Sequence, residues 1–472
     1  MNQPGEALAL DMRAKGIDID LSLSILDDYN SGLNDAVEVV KASRVPAVDG
    51  ERVLAIDERL RYSAPRENAE AILASIGMSP PASASSSQPV VTFDFASLSR
   101  IGQALLPRAA FGILNGGSAT SYADRKKNLA YGEGVFSSLE TGFATIEPLC
   151  HDRPKGLAPA YVNPDGSPGA SFLLLKMRAR LLALKRYRDS LALEGRSLPE
   201  GPFLPLYQMT SSGNDAELSE AYQAMASHPL LRDLASSLGG IGQSGAVKFA
   251  TGVQPMIAAF SHSSEGRPKK LFDKAWGKSD SALALPGGHG QSFRILTKVF
   301  RDLQASGLRW AWLGNVDNIG YLPDPAKLAV LALSGEPAAF EFSFRTALDV
   351  KGGILVETGT GGRTIADIGP AISFEELRRL EDEGAAVLFN CATGLFDLDW
   401  LVPRLEELGR RLPVRFTDQD KDAGRYSQAE QVTWEVASLL PSFLAYAVEK
   451  KDRFISAKLL VETLLTSGLA TG

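Results

Sequence analysis

A glycine pair follows a strand-like apolar run early in the chain, and this arrangement is suited to binding an anion. The run Ala109–Leu114 is followed by Asn115, Gly116 and Gly117, and then by the small residues Ser118 to Ser121. Glycines let the backbone approach a ligand closely, and successive free N–H groups in such a loop form a cradle for negative charge. The pattern therefore predicts a buried parallel strand that ends in an anion-binding loop.

A carboxylate and a lysine stand at two later positions where Mg²⁺ or a phosphate could bind. Asp317 lies in Asn315-Val316-Asp317-Asn318, at the end of the apolar run Trp310–Asn315. A carboxylate at a strand end suits Mg²⁺, which keeps several waters and bridges to phosphates. Lys351 stands directly before two glycines, where a point charge beside bare backbone could contact a phosphate. The alternatives are an Asx turn for Asp317 and an exposed hairpin lysine for Lys351.

Two further segments place polar groups where a ligand could lie. In Leu285–Gln291, three glycines surround His289 and would let the imidazole point inward. The predicted strand Phe203–Thr210 ends in hydroxyl residues, at the sheet edge where α/β proteins hold ligands. For His289 the alternative is an ordinary loop histidine, and for Phe203–Thr210 it is an ordinary strand–turn–helix.

Alternating apolar runs and amphipathic stretches from about Phe93 to Asn390 predict the α/β architecture that would position these residues. Helical spacing predicts a helical segment over residues 1–77 and again over 427–469, and helices at Leu173–Leu191 and Gln291–Ser306. The Ser- and Pro-rich residues 79–89 predict a linker or exposed loop. The predicted strands are Ala109–Leu114, Phe203–Thr210, Ala246–Thr251, Met256–Phe260, Trp310–Asn315, Ala339–Ala347, Gly353–Glu357 and Ala386–Asn390.

The composition narrows the class of protein. The chain has 472 residues and a net charge of -7, which argues against a general binder of nucleic acid or anionic membranes. Its two cysteines, Cys150 and Cys391, predict a reducing compartment, and its four histidines lack metal-ligand spacing to Cys or His. The N-terminus lacks the features of a signal peptide, and no apolar stretch reaches membrane-spanning length. We therefore expect a soluble cytoplasmic protein.

Taken together and in order, these motifs resemble the UTP–sugar-1-phosphate uridylyltransferases, and most closely the eukaryotic-type UTP–glucose-1-phosphate uridylyltransferase family. That family's Leu-Asn-Gly-Gly-x-Gly-Thr-Ser loop is similar to Leu114–Ser121, with Ala119 at the third glycine. Its Arg-Phe-x-Pro-x-Lys motif is similar to the segment from Arg453 to Lys458. Its Gly-His-Gly, Asn-x-Asp-Asn, Asp-Val-Lys-Gly-Gly and Phe-Asn motifs resemble residues 288–290, 315–318, 349–353 and 389–390.

The resemblance implies an α/β fold with a Rossmann-like mixed sheet of the nucleotide-diphospho-sugar transferase (GT-A-like) type. A helical N-terminal module with its linker would span residues 1–90, and the catalytic nucleotidyltransferase domain would span 91–400. Residues 401–472 would form a short, helical C-terminal region that completes the active site, without a full β-helix.

The implied reaction joins UTP to a hexose 1-phosphate, most closely glucose 1-phosphate, by in-line attack on the α-phosphorus, and releases pyrophosphate. Mg²⁺ would be the cofactor, UTP and a sugar 1-phosphate the partners, and the assembly a monomer or small oligomer. The resemblance assigns catalytic roles to Lys155, Asp317 (also the metal ligand), Lys351 and Lys458, and sugar contacts to Asn318, Gly353 and Asn390. It assigns the nucleotide to Leu114, Asn115, Gly116, Gly117, Thr210, Gly288, His289 and Gly290.

The chain departs from the family pattern in three places. Pro154-Lys155-Gly156 matches the family's lysine motif better than the earlier Lys126 and Lys127, which makes residues 122–153 an insertion. Ala119 replaces a glycine, and Ala250-Thr251-Gly252 stands where related enzymes carry a glutamine that reads uracil. The alternatives are an enzyme that makes UDP-N-acetylhexosamine or several UDP-sugars, and a non-catalytic nucleotide-sugar-binding relative.

Overall fold

Apolar runs in the sequence form the strands of one large sheet, with helices packed on both faces. The computed structural model of the protein describes residues 3–33, 41–81, 88–193, 195, 203–225, 227–238, 249–347 and 349–468. The strands are β1 Val53–Ala55, β2 Arg61–Pro65, β3 Val90–Asp94, β4 Ala109–Leu114, β5 Leu206–Ser211, β6 Phe249–Gln254, β7 Met256–Ala258, β8 Phe260–Ser261, β9 Ala284–Pro286, β10 Trp310–Asn315, β11 Ala338–Phe344, β12 Gly353–Glu357, β13 Arg363–Asp367, β14 Leu388–Asp397, β15 Arg415–Lys421, β16 Gly424–Glu430 and β17 Leu444–Val448. The helices are α1 Glu6–Ala14, α2 Ile19–Asn30, α3 Arg66–Ser75, α4 Phe95–Leu105, α5 Arg125–Leu129, α6 Glu133–Ile146, α7 Phe172–Leu193, α8 Asp215–Met225, α9 Pro229–Ser237, α10 Ser292–Ile295, α11 Thr297–Ala305, α12 Pro325–Ser334, α13 Phe374–Asp382, α14 Leu398–Leu401, α15 Leu405–Arg411, α16 Lys450–Arg453 and α17 Leu460–Thr466.

Among the described residues, the large sheet has ten strands, eight of them in the order β1-β17-β11-β14-β10-β4-β5-β6, while β12 and β13 extend from β14. Along that order every strand is parallel to its neighbours except β14, which is antiparallel to both β11 and β10. Parallel strands bring their carboxyl ends to one edge of a sheet, where α/β proteins bind ligands. The loops that follow β4, β5, β6, β10, β11 and β17 therefore leave the sheet at the same edge, and the start of β14 joins them there.

The two faces of the sheet are buried in separate apolar clusters, because side chains alternate along each strand. Phe111 and Trp312 face the cluster that includes α4, α7 and α12. Ala110 and Leu313 face the other cluster, which includes α11, α14 and α15. Burial on both sides explains why β4 and β10 are almost continuously apolar in the sequence. The resulting core gives the loops at the sheet edge a rigid base.

The predicted mixed α/β fold is confirmed, and β4, β10 and β12 have the predicted bounds. The prediction of helix throughout residues 427–469 is wrong, because β16 and β17 lie within this range. All five residues of β17 are buried between β11 and β1. A surface helix would leave part of this run in water, at about 1.5–3 kcal/mol for each large side chain. Residues 82–87 of the predicted linker and 246–248 of a predicted strand lie outside the described residues.

The segment before residue 90, predicted as a helical module, contributes strands as well as helices. Its strand β1 lies at one end of the large sheet, and β2 pairs with β3 in a small antiparallel sheet. The helices α1 and α2 contact the strands near Met256, where the N–H of Asp18 donates to the Met256 carbonyl over 2.8 Å. Within the described ranges, no helix has the length and apolar character needed to cross a bilayer.

Candidate functional site

The glycine loop after β4 is paired with the turn that carries Lys155. The N–H of Lys155 donates to the Gly117 carbonyl over 3.0 Å, and the N–H of Ala119 donates to the Arg153 carbonyl over 2.8 Å. A β-bridge joins Ser118 to Pro154 between them. The predicted insertion therefore leaves the loop and returns the chain to it, which brings Lys155 next to the glycines.

The insertion itself is held by the C-terminal helix α17. The Tyr122 hydroxyl is hydrogen-bonded to Thr463 over 2.7 Å, and the Asn128 side chain accepts the N–H of Val461 over 2.8 Å. The N–H of Leu460 donates to the Tyr122 carbonyl over 3.0 Å. The Lys155 turn and the chain just before α17 thus belong to one packed unit.

Lys155 and Asp317 meet above the glycine loop although 162 residues separate them. The Lys155 ammonium lies 2.5 Å from Asp317 Oδ2 and 2.9 Å from the Ala457 carbonyl. Both side chains are largely buried, with exposed fractions of 19% for Lys155 and 12% for Asp317. The Tyr122 ring lies 5.5 Å from the ammonium and adds a cation–π contact. The pair places one cation and one carboxylate beside the predicted anion-binding loop.

Asn318, predicted as a sugar contact, instead braces the turn that carries Asp317. Its Oδ1 accepts the N–H groups of Gly320 and Ile455, and its Nδ2 donates to the Arg453 carbonyl over 3.0 Å. Only 1% of Asn318 is exposed. Because both ends of the amide are bonded within the protein, the structure does not present Asn318 to a sugar.

Leu114 and Asn115 also lie beneath the loop rather than at its surface, since only 7% of Leu114 and 1% of Asn115 is exposed. Asn115 donates from Nδ2 to Gln208 Oε1 over 3.2 Å, and its Oδ1 lies against Gly156. A Cβ on Gly156 would stand 2.3 Å from that oxygen, so only glycine fits there. Gly116, which is half-buried, and Gly117 and Ser118, which are exposed, remain accessible to a ligand in this loop.

A glutamine that the sequence did not single out lies between the two glycine-containing loops. Gln254 ends β6, and its Nε2 donates over 2.8 Å to both the Gly288 carbonyl and Gln291 Oε1. Its Oε1 lies 3.6 Å from the position of a Cβ on Gly116. That oxygen can accept an N–H from a ligand lying over the loop. Its only signal in the sequence is a polar residue followed by Pro255, between the predicted strands Ala246–Thr251 and Met256–Phe260.

Thr210 lies beside Gly116, but its hydroxyl is hydrogen-bonded within the protein and does not point to a ligand over the loop. The backbone of Thr210 is 3.4 Å from the position of a Cβ on Gly116. Its Oγ1 donates to Asp215 over 2.7 Å, at the start of α8. The buried hydroxyl thus shapes the strand end, and the part of Thr210 nearest the loop is its backbone.

His289 is held as a neutral imidazole. The backbone N–H of Thr433 donates to His289 Nδ1 over 3.2 Å, which assigns the ring proton to Nε2. Burial lowers the pKa of His289 to about 4. Gly288 and Gly290 pack against the Gln431 backbone, where added Cβ atoms would lie 2.5 and 2.6 Å from it. These glycines are therefore required by internal packing as well as by any ligand.

Acidification is expected to destabilise the protein through His289. The unfolded histidine has a pKa of 6.5 and the folded one a pKa of about 4, so the unfolded chain binds the extra proton between these values. The contribution of His289 to the free energy of unfolding is therefore fully present above pH 6.5, and it decreases as the pH falls toward 4. At pH 4.5 the loss is expected to be about 2.5 kcal/mol. Urea unfolding of wild type and His289→Gln at pH 7 and 4.5 measures it, and equal pH dependence of the two proteins would refute this assignment.

The other residues predicted to bind the sugar phosphate lie near β12 and β14, at the same edge of the large sheet. Gly353 and Asn390 are neighbours, because a Cβ on Gly353 would stand 3.8 Å from the Asn390 Cβ. Lys458 is exposed and directly follows Ala457, whose carbonyl accepts from the Lys155 ammonium. Lys351 is exposed too, and within the described part of the chain it forms no hydrogen bond or ion pair. Both lysines are thus accessible to a phosphate.

The carboxylate of the site, Asp317, fits a Mg²⁺ ion that is bound together with phosphates. Among the described residues, no group of three or more His, Cys, Asp or Glu side chains is placed to hold a metal ion. Asp317 supplies one carboxylate, and only its Oδ2 is taken by Lys155. Mg²⁺ is often held by one or two carboxylates, with waters and substrate phosphates completing its coordination. The site therefore suits a metal that arrives with a nucleotide.

Comparison with known proteins supports this description of the chain. Residues 267–468 match the family described as UDPGP, UTP--glucose-1-phosphate uridylyltransferase. No curated protein sequence matches the chain.

Solved structures with low sequence identity share the fold. The UDP-N-acetylglucosamine pyrophosphorylase of Trypanosoma brucei is 17% identical, with a TM-score of 0.60 over 96% of this chain and 75% of that one. The UDP-glucose phosphorylase of the same organism is also 17% identical, with a TM-score of 0.56 over 96% and 77%. The UDP-glucose pyrophosphorylase of Leishmania major is 16% identical, with a TM-score of 0.55 over 96% and 76%. The predicted resemblance is therefore confirmed: residues 267–468 match the UTP–glucose-1-phosphate uridylyltransferase family, and the chain has the fold of the UDP-sugar pyrophosphorylases.

Proposed function

We propose that this protein is a UTP:sugar-1-phosphate uridylyltransferase that makes a UDP-sugar, with UDP-glucose as the main product, and releases pyrophosphate. The observation that carries the proposal is the meeting of Lys155 and Asp317 above the Gly116–Gly117 loop. A phosphate-binding cation, a carboxylate for Mg²⁺ and bare backbone are the groups that phosphoryl transfer needs, since its catalysis is mainly positioning and charge neutralisation.

In this proposal the nucleotide lies over the edge formed by β4, β5 and β6. The backbone of half-buried Gly116 and exposed Gly117 allows close approach, and Oε1 of Gln254 can accept an N–H from the base. His289 remains neutral at pH 7 because burial lowers its pKa, so Nε2 can donate a hydrogen bond. Gln254 would therefore supply the base contact that was missing at Thr251.

The Lys155 ammonium would move from Asp317 to the triphosphate when UTP binds. Its two present partners, the Asp317 carboxylate and the Ala457 carbonyl, are both oxygens, so phosphate oxygens can replace them. Asp317 would hold Mg²⁺, which neutralises phosphate charge when bound. The ammonium would stay beside the phosphates and keep the leaving pyrophosphate from being repelled by the carboxylate.

The sugar 1-phosphate would enter on the side of β12 and β14. Lys351 and Lys458 are exposed cations at this edge and suit its phosphate. Gly353 and Asn390 are adjacent and suit the sugar hydroxyls. Bound there, the sugar phosphate oxygen would attack the α-phosphorus in line with the leaving pyrophosphate, as phosphoryl transfer requires.

The deciding experiment measures pyrophosphate release from purified protein with UTP, Mg²⁺ and a sugar 1-phosphate. Release that requires all three components supports the proposal, and formation of UDP-sugar should equal it in amount. Turnover with the 1-phosphates of glucose, galactose and N-acetylglucosamine, compared under the same conditions, identifies the sugar. Binding of UTP without any release would contradict an enzyme and favour a nucleotide-sugar sensor.

A further inference from the structure

A buried lysine outside every predicted motif lies directly behind the turn that carries Asp317. Lys176 is in the first part of α7, and only 1% of it is exposed. Its ammonium donates to the carbonyls of Asn318 and Tyr321, the second over 2.7 Å, and lies 4.8 Å from the centre of the Tyr321 ring. One amino group thus holds two points of a single turn.

The same turn is fixed to the sheet on its other side. The Tyr321 hydroxyl donates to the Gly112 carbonyl over 2.7 Å, and its ring stacks on Phe111 with centroids 4.6 Å apart. Gly112 belongs to β4, the strand that leads into the glycine loop. Lys176 therefore links the turn to α7, while Tyr321 links the same turn to β4. Asp317 is adjacent in sequence to Asn318, whose carbonyl accepts from the Lys176 side chain.

The placement of Lys176 is energetically unfavourable for the lysine itself. Burial lowers the pKa of Lys176 well below its usual value, and the nearby Arg453 guanidinium acts in the same direction. The carboxylates of Asp317 and Glu341 oppose this effect through their charge, without a hydrogen bond to the ammonium. An apolar side chain of similar length would avoid the desolvation of a buried cation. The hydrogen bonds to the turn are what distinguish the lysine from such a side chain.

We propose that Lys176 is a positioning residue for Asp317, which fixes the direction of its carboxylate toward the metal of a bound nucleotide. This inference rests on the proposed function. Residues behind a metal ligand typically change metal affinity or activity by about 10–100-fold when they are replaced. Lys176 would act through the Asn318 and Tyr321 carbonyls, and it does not contact the substrates.

The test compares Lys176→Met with Lys327→Met, a control at another buried lysine. Lys327 is 2% exposed and lies 3.0 Å from Glu341, and it does not contact the Asp317 turn. Binding of Mn²⁺ in the presence of UTP is followed by electron paramagnetic resonance, and unfolding by urea is measured in parallel. Lys176→Met is expected to weaken Mn²⁺ binding by about 10-fold or more, whereas Lys327→Met should change it by less than about 2-fold.

The outcomes separate this inference from the proposed reaction. Unchanged Mn²⁺ affinity in folded Lys176→Met overturns the positioning role, even if the protein is less stable. If that variant does not fold, Lys176→Gln, whose shorter side chain reaches less far toward the two carbonyls, is measured in its place, and its unchanged Mn²⁺ affinity would overturn the role equally. A wild-type protein that binds Mn²⁺ with UTP but releases no pyrophosphate disproves the reaction alone. A wild-type protein that binds no Mn²⁺ with UTP overturns the positioning role as well.

Discussion

Lys155→Ala is expected to lower kcat/KM for pyrophosphate release by about 10³-fold, because it removes a preorganised charge from a largely buried site. The Lys155 ammonium lies 2.5 Å from Asp317, on a turn hydrogen-bonded to the glycine loop. Alanine would leave both the triphosphate and the Asp317 carboxylate without this cation. Steady-state release of pyrophosphate with UTP, Mg²⁺ and glucose 1-phosphate measures the effect.

The matched control is Lys127→Ala, which removes a lysine that lies closer to the glycine loop in sequence. Lys127 is exposed, and its ammonium is hydrogen-bonded to the Ser121 hydroxyl over 2.8 Å. We expect less than about a 2-fold change for this variant, since an exposed lysine is solvated and easily replaced by water. Full turnover in Lys155→Ala, or a larger loss in Lys127→Ala, would mean that the phosphate contact is assigned to the wrong lysine.

Lys155→Ala should also change how the protein binds metal without nucleotide. The Lys155 ammonium is bonded to Oδ2 of Asp317, the oxygen that a metal would share. Its removal frees a partly buried carboxylate, so Mn²⁺ affinity without UTP should increase by about 10-fold, consistent with the loss of one close like charge. Unchanged affinity would show that the ion pair does not compete with the metal.

The second large effect is expected for Asp317→Asn, which should lower turnover by at least about 10³-fold. The amide has nearly the same shape as the carboxylate, but it lacks the negative charge that pairs with Lys155 and would bind Mg²⁺. The half-saturating Mg²⁺ concentration should increase together with the loss in kcat, because the metal ligand itself is weakened. A titration of pyrophosphate release with Mg²⁺ measures both quantities.

Asp397→Asn is the control for the loss of a buried ion-paired carboxylate. Asp397 lies at the end of β14, at the opposite edge of the sheet, and pairs with Arg309 over 3.1 Å. Its side chain is 10% exposed, close to the 12% of Asp317. This variant should lose stability while its Mg²⁺ dependence stays unchanged. An equal shift of the Mg²⁺ titration in both variants would show that Asp317 acts only through folding.

The sequence alone determined the fold class and the location of the loops. Residues 109–114 and 310–315 are apolar throughout because both faces of their strands are buried, and such runs identify central strands without any tertiary knowledge. Polar residues directly after these runs then mark the edge where ligands bind, because the carboxyl ends of parallel strands coincide. Asp317 and the Gly116–Gly117 loop could therefore be predicted from local pattern alone.

Only the tertiary structure decided which side chains reach the ligand side of that edge. Asn318 and Asn115 follow the same strands as their neighbours, yet their amides are bonded inside the protein. Gln254 and Lys176 belong to no motif, and hydrogen bonds to distant loops give them their positions. Lys155 became the partner of Asp317 because the insertion returns the chain to the glycine loop. Local sequence sets the direction of a strand, whereas contacts between residues far apart in sequence set the direction of a side chain at its end.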